Sequence, residues 1–117
     1  MIKITLTGNP LSTQHIYGQV GNRRYMKKKA KERKEQYQWE AKSQYKGSVL
    51  ECPLTADIIL YFKDKRRRDW DNYHKLSQDS LEGIVYADDS KIQEAHVIKE
   101  YDKENPRTEI VIHTLTH

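Results

Sequence analysis

The sequence is poor in several features that would place it in a specialised class. It holds one cysteine, Cys52, so no disulfide can form within the chain and a cysteine-rich zinc site is excluded. We expect that cysteine to be a small packed residue beside Pro53. No apolar run approaches the roughly 20 residues of a membrane-spanning helix, and residues 1–7 alternate polar with apolar types, unlike a signal peptide. These absences predict a cytoplasmic protein with no membrane partner.

The chain has 117 residues, of which 36% are hydrophobic and 32% charged. This length suits one domain, spanning residues 1–117, and the hydrophobic share is large enough for one modest core. The five histidines show no paired ligand spacing, and the sequence contains no glycine-rich phosphate loop. A polar globular domain is therefore expected, without a histidine-based zinc site or a nucleotide loop.

The formal net charge of +4 hides a strong segregation of charge along the chain. Residues 23–34 hold eight bases against one acid, and residues 63–68 hold five bases against one acid, so the remainder is net acidic. Clustered bases suit a polyanion, because neutralising phosphates releases counterions. Nucleic acid is the predicted partner, and the expected contacts are Arg24, Lys27, Lys28, Lys31, Arg66, Arg67 and Arg68.

Hydrophobic periodicity predicts an α+β fold with a small mixed sheet and two main helices. The expected order is a strand over 1–7, a loop over 10–25, a helix from about 26 to 47, a central strand over 54–63, a second helix ending at Gly83, and strands over 92–101 and 107–115. We expect the last two strands to pair with each other in antiparallel fashion across a turn at 102–106.

A group of acids follows the second basic segment. Asp69 and Asp71 lie two residues apart directly behind four consecutive bases, and Asp88 and Asp89 lie beyond the second helix. If the chain turns back along that helix, one of the later pair can approach the earlier pair. Clustered carboxylates repel one another unless a cation joins them, and oxygen ligands favour Mg²⁺ or Mn²⁺ over zinc. Such a metal could activate water for phosphodiester cleavage.

Lys75 follows Asp71 by four residues, so a helix would point both side chains to the same side. Its ammonium group could stabilise negative charge on a phosphate in the transition state. The simpler interpretation is an ion pair with Asp71 or Asp79 on the same helix face, which also carries Glu82.

The segment 66–72 (Arg-Arg-Arg-Asp-Trp-Asp-Asn), Lys75, the segment 79–81 (Asp-Ser-Leu) and the segment 88–92 (Asp-Asp-Ser-Lys-Ile) together resemble the signature of RusA-type Holliday-junction resolvases. The opening at 8–12 and the segment 25–34 are similar to that family as well. The resemblance implies a homodimeric, Mg²⁺-dependent endonuclease that resolves four-way DNA junctions by paired nicks. It further implies that Asp69, Asp71 and Asp89 bind the metal and that Lys75 is the essential base.

Two alternatives remain open from the residues alone. A nuclease of another class could use Asp89 and Lys91 as a carboxylate-x-lysine pair, which would require that segment to lie on a buried strand. The chain could also be a noncatalytic nucleic-acid-binding module whose acids only balance its bases. Dimeric paired cutting of branched DNA, with selectivity for junction shape, is the favoured hypothesis.

Overall fold

The computed structural model describes residues 1–12, 16–68 and 72–115. Its strands are β1 (Ile2–Thr7), β2 (Tyr17–Val20), β3 (Arg23–Met26), β4 (Leu54–Phe62), β5 (Ile92–Tyr101) and β6 (Arg107–Thr114). Its helices are α1 (Lys28–Gln44) and α2 (Lys75–Leu81), and a short 3-10 helix covers Asp89–Lys91. This arrangement confirms the predicted α+β class, with a mixed sheet and two main helices. No helix in the described ranges is both long and apolar enough to cross a membrane.

The main sheet has the strand order β1-β6-β4-β5. Strand β6 runs antiparallel to both of its neighbours, whereas β5 runs parallel to β4. The prediction that β4 is central is confirmed, but the prediction that the last two strands pair with each other is wrong. The 102–106 connection crosses the end of β4, where the Asp102 amide donates to the Phe62 carbonyl at 2.8 Å. A strand with apolar residues on both faces gains more from a central position than from an edge.

One face of this sheet forms the core. Every second residue of β4 from Leu54 to Phe62 is buried, and the matching residues of β1 and β6 are buried beside them. Helix α1 contributes its buried residues Ala30, Tyr37 and Ala41 to the same cluster. The alternate residues of β4 are only half-buried. The sheet therefore has one apolar face, which is buried under α1, and one more polar face, which is partly exposed to solvent.

Side chains of α1 cover the outer edge of β1. The Gln44 side-chain amide accepts from the Thr5 amide and donates to the Thr5 carbonyl, both at 2.7 Å. One helical turn before Gln44, Glu40 accepts from the Thr7 amide at 3.2 Å, and a further turn back Gln36 donates to the Thr7 carbonyl at 2.9 Å. Four helical residues rise about 6 Å and two strand residues about 6.6 Å, so the two spacings match. Residues at i and i+4 of the helix thus satisfy alternate residues of the strand.

Three local expectations are corrected by the structure. The segment expected as a loop contains a hairpin, β2–β3, which turns at Gly21 and Asn22 and whose base is closed by the Lys27 amide donating to the Ile16 carbonyl at 2.7 Å. Its alternation is too short and too polar to register as strand periodicity. Helix α2 covers Lys75–Leu81 and so ends two residues before the expected Gly83. Cys52 is exposed, because it precedes β4 instead of packing within the sheet.

An ion-pair network crosses the polar face of the sheet. Arg107 donates to Glu109 at 2.7 Å and to Asp102 at 2.8 Å, and its guanidinium stacks 3.7 Å from the centre of the Tyr61 ring. Burial favours the neutral form of Glu109, but the hydrogen bond from Arg107 and the charge of Lys3 outweigh it, so the pKa of Glu109 lies below its usual value. A lowered carboxyl pKa adds stability at neutral pH that is lost as the pH falls through that pKa.

Replacing Glu109 should therefore weaken the fold in a pH-dependent way. We expect Glu109→Gln to lower the free energy of unfolding by about 1 kcal/mol at pH 7, and the difference from the unmodified protein to shrink below about pH 4. Urea unfolding at pH 7 and pH 3 measures both values. The matched control is Glu104→Gln, an exposed position in the 102–106 connection. An equal loss of stability at both pH values would contradict the ionic origin of the effect.

Candidate active site and nucleic-acid interface

The two basic segments meet in one cleft of about 690 Å³. Three of its lysines come from the start of α1, and four bases come from the turn after β4. The loop after β1 forms a further part of its wall. The lining residues are Asn9, Pro10, Leu11, Lys27, Lys28, Lys29, Lys63, Arg66, Arg67, Arg68 and Tyr73. Bases that are some 35 residues apart in the sequence thus form one cationic surface.

Asn9 joins the two sides of the cleft. Its side-chain oxygen accepts from the Lys63 amide at 2.9 Å, and its backbone carbonyl accepts from the Arg33 guanidinium at 2.7 Å. The preceding Gly8 has a φ of +105°, and a Cβ at that position would lie 2.9 Å from the Arg33 guanidinium carbon. Glycine is therefore required both by its backbone conformation and by the close approach of Arg33.

The basic turn after β4 is organised around Asp64. Its carboxylate accepts from the Arg66 amide at 3.1 Å and pairs with the Arg68 guanidinium at 2.7 Å. Hydrogen bonds from the Arg66 backbone and the Arg68 side chain hold the pKa of Asp64 below its usual value. The Arg68 side chain is only 11% exposed and stacks over the Phe62 ring at 4.5 Å. Arg68 therefore braces the turn, whereas Arg66 and Arg67 are exposed.

The remaining predicted nucleic-acid contacts are distributed around this cleft. Lys27, Lys28, Arg66 and Arg67 line it together with Arg68. Arg24 lies on β3, outside the lining, with its guanidinium 3.9 Å from the centre of the Tyr17 ring. Lys31 is exposed on α1, one turn beyond the lysines that line the cleft. The cleft therefore gathers five of the seven predicted bases.

Asp69 and Asp71, two of the predicted metal ligands, lie outside the described residues. The residues that flank them are described, and both Arg68 and Tyr73 line the cleft. The Tyr73 ring meets the Phe62 ring edge-on with centroids 5.0 Å apart, and Arg68 stacks over the same phenylalanine. Both ends of the segment that carries these aspartates are thus fixed at the cleft wall.

Three other carboxylates converge after α2. Asp79 belongs to α2, Glu82 follows its last residue, and Asp89 opens the 3-10 helix. One oxygen from each of these carboxylates lies within 4.8 Å of the others. The Lys75 ammonium lies 3.6 Å from Asp79, and the Asp89 amide donates to Glu82 at 3.2 Å. The structure thus brings the predicted residues Lys75 and Asp89 to one acidic group.

The return of the chain along α2 depends on Tyr86. This residue is fully buried, and its hydroxyl donates to the Gln78 carbonyl at 2.6 Å. The adjacent Val85 carbonyl accepts from the Leu50 amide at 2.8 Å, and the Ala87 amide donates to the Leu50 carbonyl at 3.0 Å. Burial, together with the charges of the acidic group, raises the pKa of Tyr86, so its hydroxyl remains a donor. These bonds set the direction in which the chain enters the 3-10 helix.

The structure also separates the roles of Asp88 and Asp89. The Asp88 carboxylate caps the 3-10 helix by accepting from the Ser90 amide at 2.9 Å and from the Ser90 hydroxyl. Those hydrogen bonds lower the pKa of Asp88. The Asp89 carboxylate instead belongs to the acidic group. Asp89 and Lys91 lie in a 3-10 helix, not on the buried strand that a carboxylate-x-lysine site would require.

Asp79 and Glu82 were not predicted as possible metal ligands. The sequence did carry a signal for them, because Lys75, Asp79 and Glu82 are spaced four and three residues apart and share a helix face. What the pattern lacked was the long-range contact with Asp89, which forms only when the chain returns along α2. Local spacing alone matches an ordinary solvated helix face.

The fold and the site define a class: a small α+β domain that carries the parts of a metal-dependent nuclease, namely a basic cleft, a carboxylate group and a lysine. The family model of endodeoxyribonuclease RusA matches residues 7–113. The chain therefore belongs to the RusA endodeoxyribonuclease family, which confirms the family predicted from the motifs.

Two curated relatives are similar to the chain. The crossover junction endodeoxyribonuclease RusA of Aquifex aeolicus is 35% identical over 66 residues, which cover 56% of this chain and 52% of that protein. The chain thus spans about half the length of this relative in the match. The uncharacterized protein YqaN of Bacillus subtilis is 28% identical over 135 aligned positions, covering 95% of this chain and 94% of that protein.

Nucleases of this family depend on a divalent metal ion. The donors at the acidic group are carboxylate oxygens, which fit a hard divalent cation and not a thiophilic one. Three carboxylates within 4.8 Å of one another also carry mutual repulsion that such a cation would relieve. Asp89, the predicted ligand among the described residues, therefore lies among oxygen donors that suit a divalent cation.

Gly8 offers a direct test of the cleft architecture. We expect Gly8→Ala to lower the free energy of unfolding by about 3 kcal/mol, since an alanine there is strained and also displaces Arg33. Gly21→Ala is the matched control, because Gly21 also has a positive φ but a Cβ there meets nothing within 4 Å. That control should lose only about 1 kcal/mol.

Chemical denaturation of both variants and of the double variant Gly8→Ala with Arg33→Ala measures these differences. Removing Arg33 removes the steric conflict, so the two substitutions should cost less together than the sum of their separate costs. Strict additivity would show that Arg33 does not constrain Gly8.

Proposed function

We propose that the protein is a Mg²⁺-dependent, structure-selective endonuclease that resolves four-way DNA junctions by paired phosphodiester cleavage. The observation that carries this proposal is the convergence of both basic segments on one cleft, whose wall includes Arg68 before the Asp69–Asp71 segment and Tyr73 after it. Membership of a family that acts on branched DNA, and the similarity to a crossover junction endodeoxyribonuclease, support the proposed substrate class.

In this proposal the cleft binds the DNA backbone. Its exposed lysines and arginines neutralise phosphates without contacting base edges, so they position the strand and do not read its sequence. Selectivity then comes from the shape of the junction and from how far its arms can be deformed. Asn9 and Asp64 keep the two basic walls in place while phosphate occupies the space between them.

Asp69, Asp71 and Asp89 are the proposed ligands of the metal. A bound Mg²⁺ supplies charge neutralisation on the scissile phosphate and activation of the attacking water, and Mn²⁺ could replace it. Glu82 accepts from the Asp89 amide and so positions that aspartate. Asp79 orients Lys75, whose ammonium is proposed to stabilise the charge that develops on the phosphate. Paired cuts require two such sites, so the working form is proposed to be a homodimer.

Cleavage of synthetic four-way junctions tests the reaction and its residues. We expect resolution products with Mg²⁺ but not with EDTA or Ca²⁺, and little cutting of linear duplex. Asp69→Asn, Asp71→Asn and Asp89→Asn should each reduce cleavage at least about 100-fold while junction binding persists, because the ligands of the metal are lost. Glu82→Gln should lose only about tenfold, since it acts through Asp89.

Asp88→Asn is the matched control for Asp89→Asn, because both replace a neighbouring exposed carboxylate with an amide of equal size. It should retain most of the activity, since an asparagine oxygen can still cap the 3-10 helix. If the variants at Asp69, Asp71 and Asp89 all bind junctions and show the same apparent cleavage as the unmodified protein, that cleavage does not come from this site and the proposal is wrong.

Salt dependence of junction binding tests the cleft. We expect the double variant Lys28→Ala with Arg67→Ala to bind more weakly and to reduce the slope of log K against log salt by about 2, roughly one for each lost phosphate contact. Lys42→Ala, near the other end of α1 and outside the cleft lining, is the control and should leave the slope nearly unchanged. Equal effects at both ends of the helix would contradict a defined binding path.

A further inference from the structure

The β2–β3 hairpin lies apart from the main sheet. Within the ranges that the structure describes, its two strands pair only with each other. They are joined by a two-residue turn whose first residue, Gly21, has a φ of +60°, as a type II′ turn requires. Each strand has four residues, so the hairpin extends about 13 Å from its base to its turn. A lone two-stranded hairpin is only marginally stable in water, so other contacts must hold it.

Those contacts are at the base of the hairpin. Tyr17 and Met26, the pair farthest from the turn, pack against the hydrophobic core, and the buried Ile16 precedes them. Near the turn, Val20 is 68% exposed, and Arg23 opposite it is exposed as well. The fold thus fixes the hairpin at one end and presents the other end to solvent.

The register assigns the side chains of the hairpin to two faces, because residues opposite each other in an antiparallel pair share a face. One face carries Tyr17 and Met26 at the base, and on it the Arg24 guanidinium stacks on the Tyr17 ring. This face is turned toward the protein. The other face, here called the open face, consists of Gly18, Val20, Arg23 and Tyr25.

Tyr25 is the distinctive side chain of the open face. Its ring lies over Gly18, so closely that a Cβ on that glycine would collide with the phenol end of the ring. Glycine at this position therefore allows the ring to lie against the neighbouring strand. The Tyr25 side chain nevertheless remains 48% exposed. The hairpin thereby presents to solvent an aromatic ring that is supported by the strand beneath it.

The hairpin carries positive charge only. The first acidic residue of the chain is Glu32, so Arg23 and Arg24 have no counter-charge within the hairpin. Strand β3 ends at Met26, and the next residues, Lys27 and Lys28, already line the basic cleft. A nucleic-acid backbone that lies in the cleft can therefore continue along the hairpin without leaving the basic surface.

An aromatic ring and an aliphatic side chain on a basic surface suit exposed bases better than an intact duplex. Inside a duplex each base is stacked on both of its faces, so Tyr25 has no base face to contact. Where the arms of a four-way junction separate, the bases at the branch point lose a stacked neighbour. Stacking on an aromatic ring tolerates any sequence, because every base has a π-face. Apolar side chains such as Val20 also act as wedges between base steps that have come apart.

We propose that the open face of the hairpin binds the branch point of the DNA junction. Tyr25 stacks on a base that is exposed there, Val20 lies between the diverging strands, and Arg23 contacts the backbone of a strand that continues into the cleft. The hairpin then distinguishes a junction from a linear duplex, which phosphate contacts in the cleft do not achieve alone, because both substrates offer the same phosphates. The branched substrate rests on the proposed function, whereas the surface rests on the supported ring and its continuity with the cleft.

Photocrosslinking tests the stacked contact. A four-way junction carries 5-iodouracil at the branch point, because this base crosslinks to aromatic side chains stacked on it, and Ca²⁺ replaces Mg²⁺ to prevent cutting. We expect a crosslink to Tyr25, identified by peptide mass spectrometry, at a yield at least about tenfold above that of a junction labelled in the middle of an arm. A crosslink only outside the hairpin, or equal yields at both labels, would overturn the proposal.

Binding affinities for junction and linear duplex measure the discrimination. Tyr25→Ala should weaken junction binding about tenfold and duplex binding less than about twofold, whereas Tyr25→Phe keeps the ring and should bind both like the unmodified protein. Trp39→Ala is the control, because it removes an aromatic side chain that is 72% exposed on α1 and outside the cleft lining. It should change neither affinity. An equal loss for both substrates with Tyr25→Ala would show that the ring only supports the hairpin, and would overturn the proposal.

A second variant covers the case in which Tyr25→Ala disturbs the hairpin. Val20→Ala shortens an exposed side chain next to the turn, so the circular dichroism spectrum and the urea midpoint should be unchanged. We expect it to weaken junction binding about threefold, through the loss of apolar contact with the branch point, and to leave duplex binding unchanged. Unchanged junction binding by this variant would contradict the wedge.

Junction cleavage separates this proposal from the function proposed above. A protein that crosslinks through Tyr25 at the branch point but does not cut junctions with Mg²⁺ supports the hairpin contact and contradicts the nuclease. A protein that cuts junctions, and whose Tyr25→Ala and Val20→Ala variants still prefer junction to duplex as strongly as before, contradicts the hairpin contact and supports the nuclease.

Discussion

Mutual repulsion among cationic side chains is the constraint on which the rest of the structure depends. Seven bases line one cleft, and they would separate if only their own contacts held them. The fold restrains them through neutral and anionic groups behind the surface, namely Asn9 between the two walls and Asp64 within the basic turn. Arg33 and Arg68 are used as braces. The exposed bases are thereby kept close together, and the binding of a polyanion would relieve the repulsion among their positive charges.

Like charges also repel one another within the acidic group, where the charges are negative. Asp79, Glu82 and Asp89 are held together by backbone contacts at Leu50 and Tyr86, which lie behind them in the fold. Two carboxylates about 4 Å apart repel by roughly 4 kcal/mol at an effective dielectric of 20, and Lys75 offsets part of that cost. A cation and a phosphate backbone are thus the two ligands that such a charge distribution stabilises most. The basic residues and the acidic residues lie in different segments of the sequence. The fold gathers the bases in the cleft and the three carboxylates in the acidic group.

Periodicity predicted those parts of the fold whose burial is regular. The alternation in β4 and β6 and the stripe of Ala30, Tyr37 and Ala41 are direct consequences of one buried face. The strand order was not predictable, because the preference of β6 for the far side of β4 depends on contacts between distant segments. The same reason applies to the site: the motif indicated Lys75 and Asp89, but the contact of Asp89 with Asp79 and Glu82 depends on the return through Tyr86. The positions of Asp69 and Asp71 stay a prediction.

Helix α1 explains how so polar a chain can still assemble a sheet. Only three of its 17 residues are buried, so apolar packing alone holds it weakly. The helix is also held by hydrogen bonds from a row of its amide and carboxylate side chains to the backbone of β1, in the place where a further strand would pair. Because that row closes an edge by hydrogen bonding, the helix needs little apolar surface and its first turns are free to carry lysines. The low hydrophobicity of the helix and the basic wall of the cleft are therefore consequences of the same edge contact.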